Sequence, residues 1–148
     1  MSHYASCDAK FTDIECLVTA LNEMGLTNVE VNEKAVVLVD YKGHTRPEKA
    51  NVVVRRQHVG GAGNDIGFNT ETGQAIISEY DSHNSTSARS PQAKQHGGYN
   101  VRWIAELKER YAVTVITKQI NKLKAHGRII RVISDETHGN NRVLTLKV

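Results

Sequence analysis

Residues 36–44 read Val36-Val37-Leu38-Val39-Asp40-Tyr41-Lys42-Gly43-His44, a run of β-branched and aliphatic side chains that stops at a turn-forming Lys-Gly-His. Branched side chains lose freedom in a helix and pack well on a pleated surface, so the run reads as a strand and the glycine as the reversal after it. The pattern continues on both sides. Val29 and Val31 alternate with polar neighbours, and Val52 to Arg56 and Ala75 to Tyr80 repeat the β-rich theme. Turn signals at Asn32-Glu33-Lys34, Gly60 to Asn64 and Glu71-Thr72-Gly73 separate these runs. Connections this short cannot carry parallel crossovers, so residues 28–80 are expected to form an antiparallel meander.

Helical patterns flank the meander. A first strand over residues 3–10 leads to Thr12-Asp13-Ile14-Glu15, where the Thr12 hydroxyl and Glu15 carboxylate can satisfy the free amides of a helix start. Ile14, Leu17, Val18 and Leu21 then form one apolar stripe, and Gly25 supplies the left-handed residue that ends a helix. Residues 82–98 offer almost nothing to bury and read as a long polar surface loop. Asn100 can cap a second helix bearing Val101, Ile104, Leu107 and Tyr111, and Ile116, Ile120 and Leu123 form another stripe. The β-branched run Val113 to Thr117 leaves one bent helix and two helices both open. Arg128 to Ser134 and Arg142 to Val148 make a terminal hairpin across residues 135–141. The expected architecture is a single α+β domain over 1–148, a mostly antiparallel sheet with two or three helices packed on one face. The first strand and the terminal hairpin are expected to join that sheet.

Composition bounds the function. With 148 residues, 39% of them hydrophobic, and a mean hydropathy of −0.44, the chain can bury one core. No segment approaches the ~20 apolar residues that cross a bilayer, and Met1-Ser2-His3-Tyr4 has no leader pattern, so a soluble, cytoplasmic protein is expected. Cys7 and Cys16 form no Cys-x-x-Cys pair and are expected to be reduced and buried. Asp81, His83 and His96 flank one loop without the spacing of a ligand set, so no metal and no cofactor are expected. Neither a Gly-x-Ser-x-Gly elbow nor an activated cysteine context is present, and no catalytic residue is assigned.

Charge is distributed unevenly. Residues 1–80 carry 7 basic and 11 acidic side chains, residues 81–148 carry 12 and 5, and the formal net charge is +3. The basic excess gathers in Lys118, Lys122, Lys124, Arg128, Arg131 and Arg142, of which Lys118 and Lys122 share a helix face. A phosphate-bearing partner fits such a set, and the shortage of aromatic residues nearby favours backbone contact over base recognition. The run His58-Val59-Gly60-Gly61-Ala62-Gly63-Asn64-Asp65 is the other candidate, because glycine amides can nest an anion. A strand-like Ile66-Gly67-Phe68 follows it where a phosphate cradle needs a helix, so a wide turn is the better reading.

Several segments taken together resemble a known family. These are Met1-Ser2-His3-Tyr4, Asp13-Ile14-Glu15-Cys16-Leu17, Asp65-Ile66-Gly67-Phe68, and Trp103-Ile104-Ala105-Glu106-Leu107 running into Arg110-Tyr111-Ala112. In order and spacing they are similar to the hypothetical chloroplast reading frame thirty-five family of plastids, cyanobacteria, other bacteria and some bacteriophages. That family is a domain of unknown function, so the resemblance implies a fold and a soluble location and no catalytic residues. The glycine-rich stretch at 58–63 and the 82–98 segment depart from its pattern. The leading expectation is a binding or accessory protein acting on a protein or nucleic-acid partner. The alternative is a small nucleotide-binding protein or enzyme, with Gly60, Gly61, Gly63 and Asn64 as ligand loop and 82–98 as lid. Phage members of the family add a third expectation, a phage-encoded protein directed at a host component.

Overall fold

A computed structural model describes residues 4–8, 10–61, 63–125, 131–138 and 141–147, with side chains for residues 4, 10–61 and 63–125. The fold is α+β. Strands β1 (Tyr4–Asp8), β2 (Glu30–Val39), β3 (Thr45–Val54), β4 (Ile66–Asn69) and β5 (Gln74–Ser78) form an antiparallel sheet in the order β1-β5-β4-β3-β2. The meander is therefore as expected, with β1 added at its far edge. Asn32 to Lys34 do not form the expected turn: they lie inside a continuous β2, where the register slips between Val31 and Val36 as a bulge. A bulge uses polar residues as a turn does, and periodicity alone does not separate the two.

Alternation along the strands builds two cores. Val52 and Val54 of β3, Ile66 and Phe68 of β4, and Ala75 and Ile77 of β5 face one way. Leu17, Ala20 and Leu21 of helix α1 (Ile14–Glu23) and Trp103, Ile104 and Leu107 of helix α5 (Val101–Ala125) pack against them. The other face holds Leu38, Ala50, Val53 and Ile76 in a smaller cluster. Gly67 stands on that face because a Cβ there would lie 2.6 Å from the Ala50 Cβ and 3.0 Å from Leu38 Cδ2.

Helix α1 starts one residue later than the capping pattern suggests: Asp13, not Thr12, is the cap, its Oδ1 accepting from the Cys16 amide at 3.0 Å. The Thr12 and Asp13 amides instead donate to the Tyr111 hydroxyl at 3.2 and 2.9 Å, which joins α5 to the start of α1. The buried stripe also differs from the expected one: Cys16, Leu17, Ala20 and Leu21 are buried while Ile14 is exposed. At the other end Gly25 has φ +86°, with Gly25 and Leu26 amides donating to Asn22 and Leu21 carbonyls, the expected left-handed stop.

Residues 82–98 are not a surface loop. Helix α3 (Glu79–His83) runs into them, helix α4 (Pro91–His96) occupies their second half, and Ala88, Ser90 and Ala93 are buried. The anchors are small or polar: the Ser90 Oγ accepts from the Trp103 indole at 3.0 Å, and the Arg89 amide donates to the Val59 carbonyl at 2.9 Å. Beyond Asn100, which caps α5 through the Arg102 and Trp103 amides, a single 25-residue helix runs through the β-branched segment. Strands β6 (Arg131–His138) and β7 (Asn141–Lys147) pair as a separate two-stranded sheet instead of extending the main one, and their pairing runs on to His138 and Asn141, inside the expected 135–141 turn.

Candidate functional site

The chain leaves β3 at Val54 and turns through Arg55 into the short helix α2 (Arg56–Val59). Two consecutive arginines at this corner have opposite surroundings. Arg55 donates through Nε and Nη2 to Glu30 Oε1 and Oε2 at 3.0 and 2.7 Å, and through Nη1 to Asp65 Oδ2 at 2.8 Å. Two carboxylates compensate its charge, and the Arg55 guanidinium holds the Glu30 carboxyl below its ordinary range. Arg56 donates through Nη1 to the Tyr41 carbonyl at 2.7 Å and the Asp40 carbonyl at 3.4 Å, and has no carboxylate partner among the described residues.

Arg56 forms one wall of a depression of about 370 Å³ that Tyr41, Gln57, Gly61 and Gly63 complete. Tyr41 is 39% exposed, and Lys42 Nζ lies 5.6 Å from its ring centroid. Asp40 builds this corner by accepting the Lys42 and His44 amides with Oδ1 at 3.0 and 2.9 Å, which closes the β2–β3 turn.

Behind the depression lies a buried polar hub. Asn64 accepts the Tyr41 amide with Oδ1 at 2.8 Å and donates through Nδ2 to Ser78 Oγ and Asp81 Oδ2 at 3.0 and 3.2 Å. Asp65 accepts the Val39 amide with Oδ2 and the Arg56 amide with Oδ1, at 2.8 and 2.7 Å. Asp81 Oδ2 also accepts the Ser78 hydroxyl at 2.7 Å and the Asn64 amide at 3.1 Å. Burial pushes the Asp81 carboxyl up, and the bonds from Ser78 and Asn64 offset part of that.

The glycine loop serves this hub. The Gly60, Gly63 and Asp65 amides donate to the Arg56, Gly60 and Val39 carbonyls, so they are turned inward instead of toward an anion. Gly60 bridges to Ala88, and a Cβ on it would meet the Ser87 carbonyl oxygen at 2.6 Å. Gly61 and Gly63 line the depression as wall, while Gly60 and Asn64 are buried beneath it.

The basic set is only partly gathered. Lys118 is committed to the fold, its Nζ 3.0 Å from Asp13 Oδ2 and 3.5 Å from Glu15 Oε2. Lys122 and Lys124 are exposed, and a two-residue separation places them roughly 200° apart around the helix. Arg128 lies outside the described residues, Arg131 begins β6, and Arg142 stands opposite Thr137 in β7. Of the histidine loop, His96 Nε2 lies 3.0 Å from Glu106 and the His83 ring lies against the Glu79 carbonyl. No group of three or more metal-binding side chains occurs among the described residues.

Two other depressions flank α5, of about 480 Å³ at Glu106 and Arg110 and about 410 Å³ at Glu15 and Lys118. Their cations are paired in place, Arg110 with Glu106 and Glu23, and Lys118 with Asp13 and Glu15. Tyr41, Lys42 and Arg56 were not singled out from sequence. The tandem Arg55-Arg56 after an apolar strand was the available signal, but it does not say which arginine is neutralised. No family model, curated protein or solved structure matches the chain.

Proposed function

We propose that this chain is a binding or accessory protein that holds a phosphate-bearing partner, nucleic acid, on the surface formed by Tyr41, Lys42 and Arg56. The observation that carries the reading is the contrast at the corner. Arg55 is neutralised by Glu30 and Asp65, whereas Arg56 is anchored by carbonyl groups and keeps its charge on the wall of a depression. A guanidinium positioned in this way is a ready partner for phosphate oxygens. Binding without catalysis is favoured because the buried carboxylates around the depression, Asp40, Asp65 and Asp81, are engaged in holding backbone amides. In this proposal Lys122 and Lys124, on opposite sides of α5, with Arg128, Arg131 and Arg142, add only long-range attraction for the partner and do not form one contact face.

The resemblance to the hypothetical chloroplast reading frame thirty-five family belongs to the same proposal. Three of its residues are joints of the fold: Asp65 in the hub, Trp103 on Ser90, and Tyr111 at the start of α1. Such positions identify a fold more than a chemistry. No helix among the described residues is long and apolar enough to cross a membrane, and a cytoplasmic site of action is proposed.

The test is the salt dependence of binding to a single-stranded oligonucleotide. Each phosphate neutralised on a single strand contributes ~0.7 to the slope of log affinity against log salt. Changing Lys42 and Arg56 together to Glu is expected to abolish binding at ~50 mM salt. Unchanged affinity and slope in that variant would remove this surface from the account.

A further inference from the structure

We infer that the depression beside Arg56 takes a single nucleotide unit, its phosphate on Arg56, its base against the Tyr41 ring and its base edge at the Gln57 amide. The inference rests on the proposed function and narrows it to one ligand class. The volume of about 370 Å³ falls in the lower part of the ~300–1,000 Å³ range of small-molecule sites. Three kinds of group converge there: an uncompensated guanidinium, a part-exposed aromatic ring, and a side-chain amide that both donates and accepts. Phosphate alone needs only the first, whereas a nucleotide uses all three.

The two principal groups are held at a fixed spacing. Arg56 Nη1 donates to the carbonyl of Tyr41 itself, and the Tyr41 amide donates to Asn64 Oδ1 at 2.8 Å. The Arg56 amide is in turn pinned by Asp65 Oδ1 at 2.7 Å. Both ligand-facing residues are thus secured from behind by the adjacent pair Asn64 and Asp65, which are 0% and 1% exposed. Support of this kind lowers the ordering cost of binding. Lys42 Nζ stands over one face of the Tyr41 ring, 5.6 Å from its centroid, and adds a second cation to the site.

The experiment is calorimetric titration with adenosine monophosphate, uridine monophosphate, ribose 5-phosphate and a ten-nucleotide thymidine strand. These are tested against the wild type and the Tyr41→Phe, Tyr41→Ala and Arg56→Gln variants. The Tyr41 backbone makes the contacts on both sides, so its side-chain variants keep the corner folded. Tyr41→Ala is expected to weaken nucleotide binding about tenfold, Tyr41→Phe to retain it, and Arg56→Gln to weaken every ligand. Binding of the mononucleotides identifies a free nucleotide as the source, while binding of the strand alone identifies a nucleotide within a chain; either supports the site. Equal affinity for ribose 5-phosphate and adenosine monophosphate, or no effect of Tyr41→Ala, would overturn the nucleotide inference and leave phosphate binding standing. No binding of any probe would overturn both.

Discussion

Arg55 donates its guanidinium to one oxygen of Asp65 at 2.8 Å, and the amide of the next residue, Arg56, donates to the other at 2.7 Å. One buried carboxylate thereby neutralises the first arginine and orients the second. It also accepts the Val39 amide, tying the end of β2 to the start of β4. Asp65→Ala should cost roughly 2–5 kcal/mol in urea unfolding, because it strands two amides and removes one of the partners of Arg55. Glu30→Ala should cost at most ~1 kcal/mol, since its side chain is 39% exposed and solvent screens the pair. Equal losses would mean that Asp65 is not the organising partner.

The Asp81 carboxyl is pushed up by burial, so the folded state holds its proton more tightly than the unfolded chain. Protonation then favours folding, and its contribution to stability falls as pH rises from the ordinary carboxylate range through the raised folded value. Asp13 and Glu30, whose carboxyls lie below their ordinary range, contribute in the opposite sense and lose stability as pH falls. Comparing Asp81→Asn with the wild type isolates the first effect. The stability of the variant relative to the wild type should rise with pH across that window, and a flat difference would contradict the assignment.

At Gly67 the backbone of β4 approaches Leu38 and Ala50. Gly67→Ala should destabilise by roughly 1–3 kcal/mol through overpacking, because the new Cβ would sit 2.6 Å from the Ala50 Cβ. Adding Ala50→Gly should recover part of that loss in a double-mutant cycle. Full additivity in thermal unfolding would show that the two positions do not meet.

For the start of α1, Asp13→Ala should cost about 1 kcal/mol, while Thr12→Ala should be within ~0.5 kcal/mol of the wild type. Only the Asp13 carboxylate accepts a helix amide, and it is also the partner of Lys118. The reverse ranking by chemical denaturation would restore Thr12 as the cap.

Strand alternation, the glycine stop at Gly25 and the cap at Asn100 were legible in the sequence because each rests on a local preference of the backbone. The docking of residues 82–98 was not. Its anchors are Ala88, Ser90, Ala93 and backbone groups, and small or polar residues carry no hydrophobic period even when fully covered. The glycine run does lie in the connection between β3 and β4, but its first residues, His58 and Val59, belong to helix α2, which has no clear sequence signal, and its relation to Asp81 and Ser87 depends on contacts distant in sequence. The same holds for the candidate site. Nothing local separates Arg55 from Arg56; the difference comes from Glu30 and Asp65, 25 and 10 residues away from Arg55.

The division of labour between these arginines is tested most directly by comparing Arg55→Ala and Arg56→Ala for oligonucleotide binding at ~50 mM salt and for unfolding midpoint. Arg56→Ala should lose most of the binding while its stability stays within ~0.5 kcal/mol of the wild type. Arg55→Ala should lower the midpoint, because Asp65, 1% exposed, loses its cation. Binding by Arg56→Ala equal to that of the wild type, with the fold intact, would contradict the account.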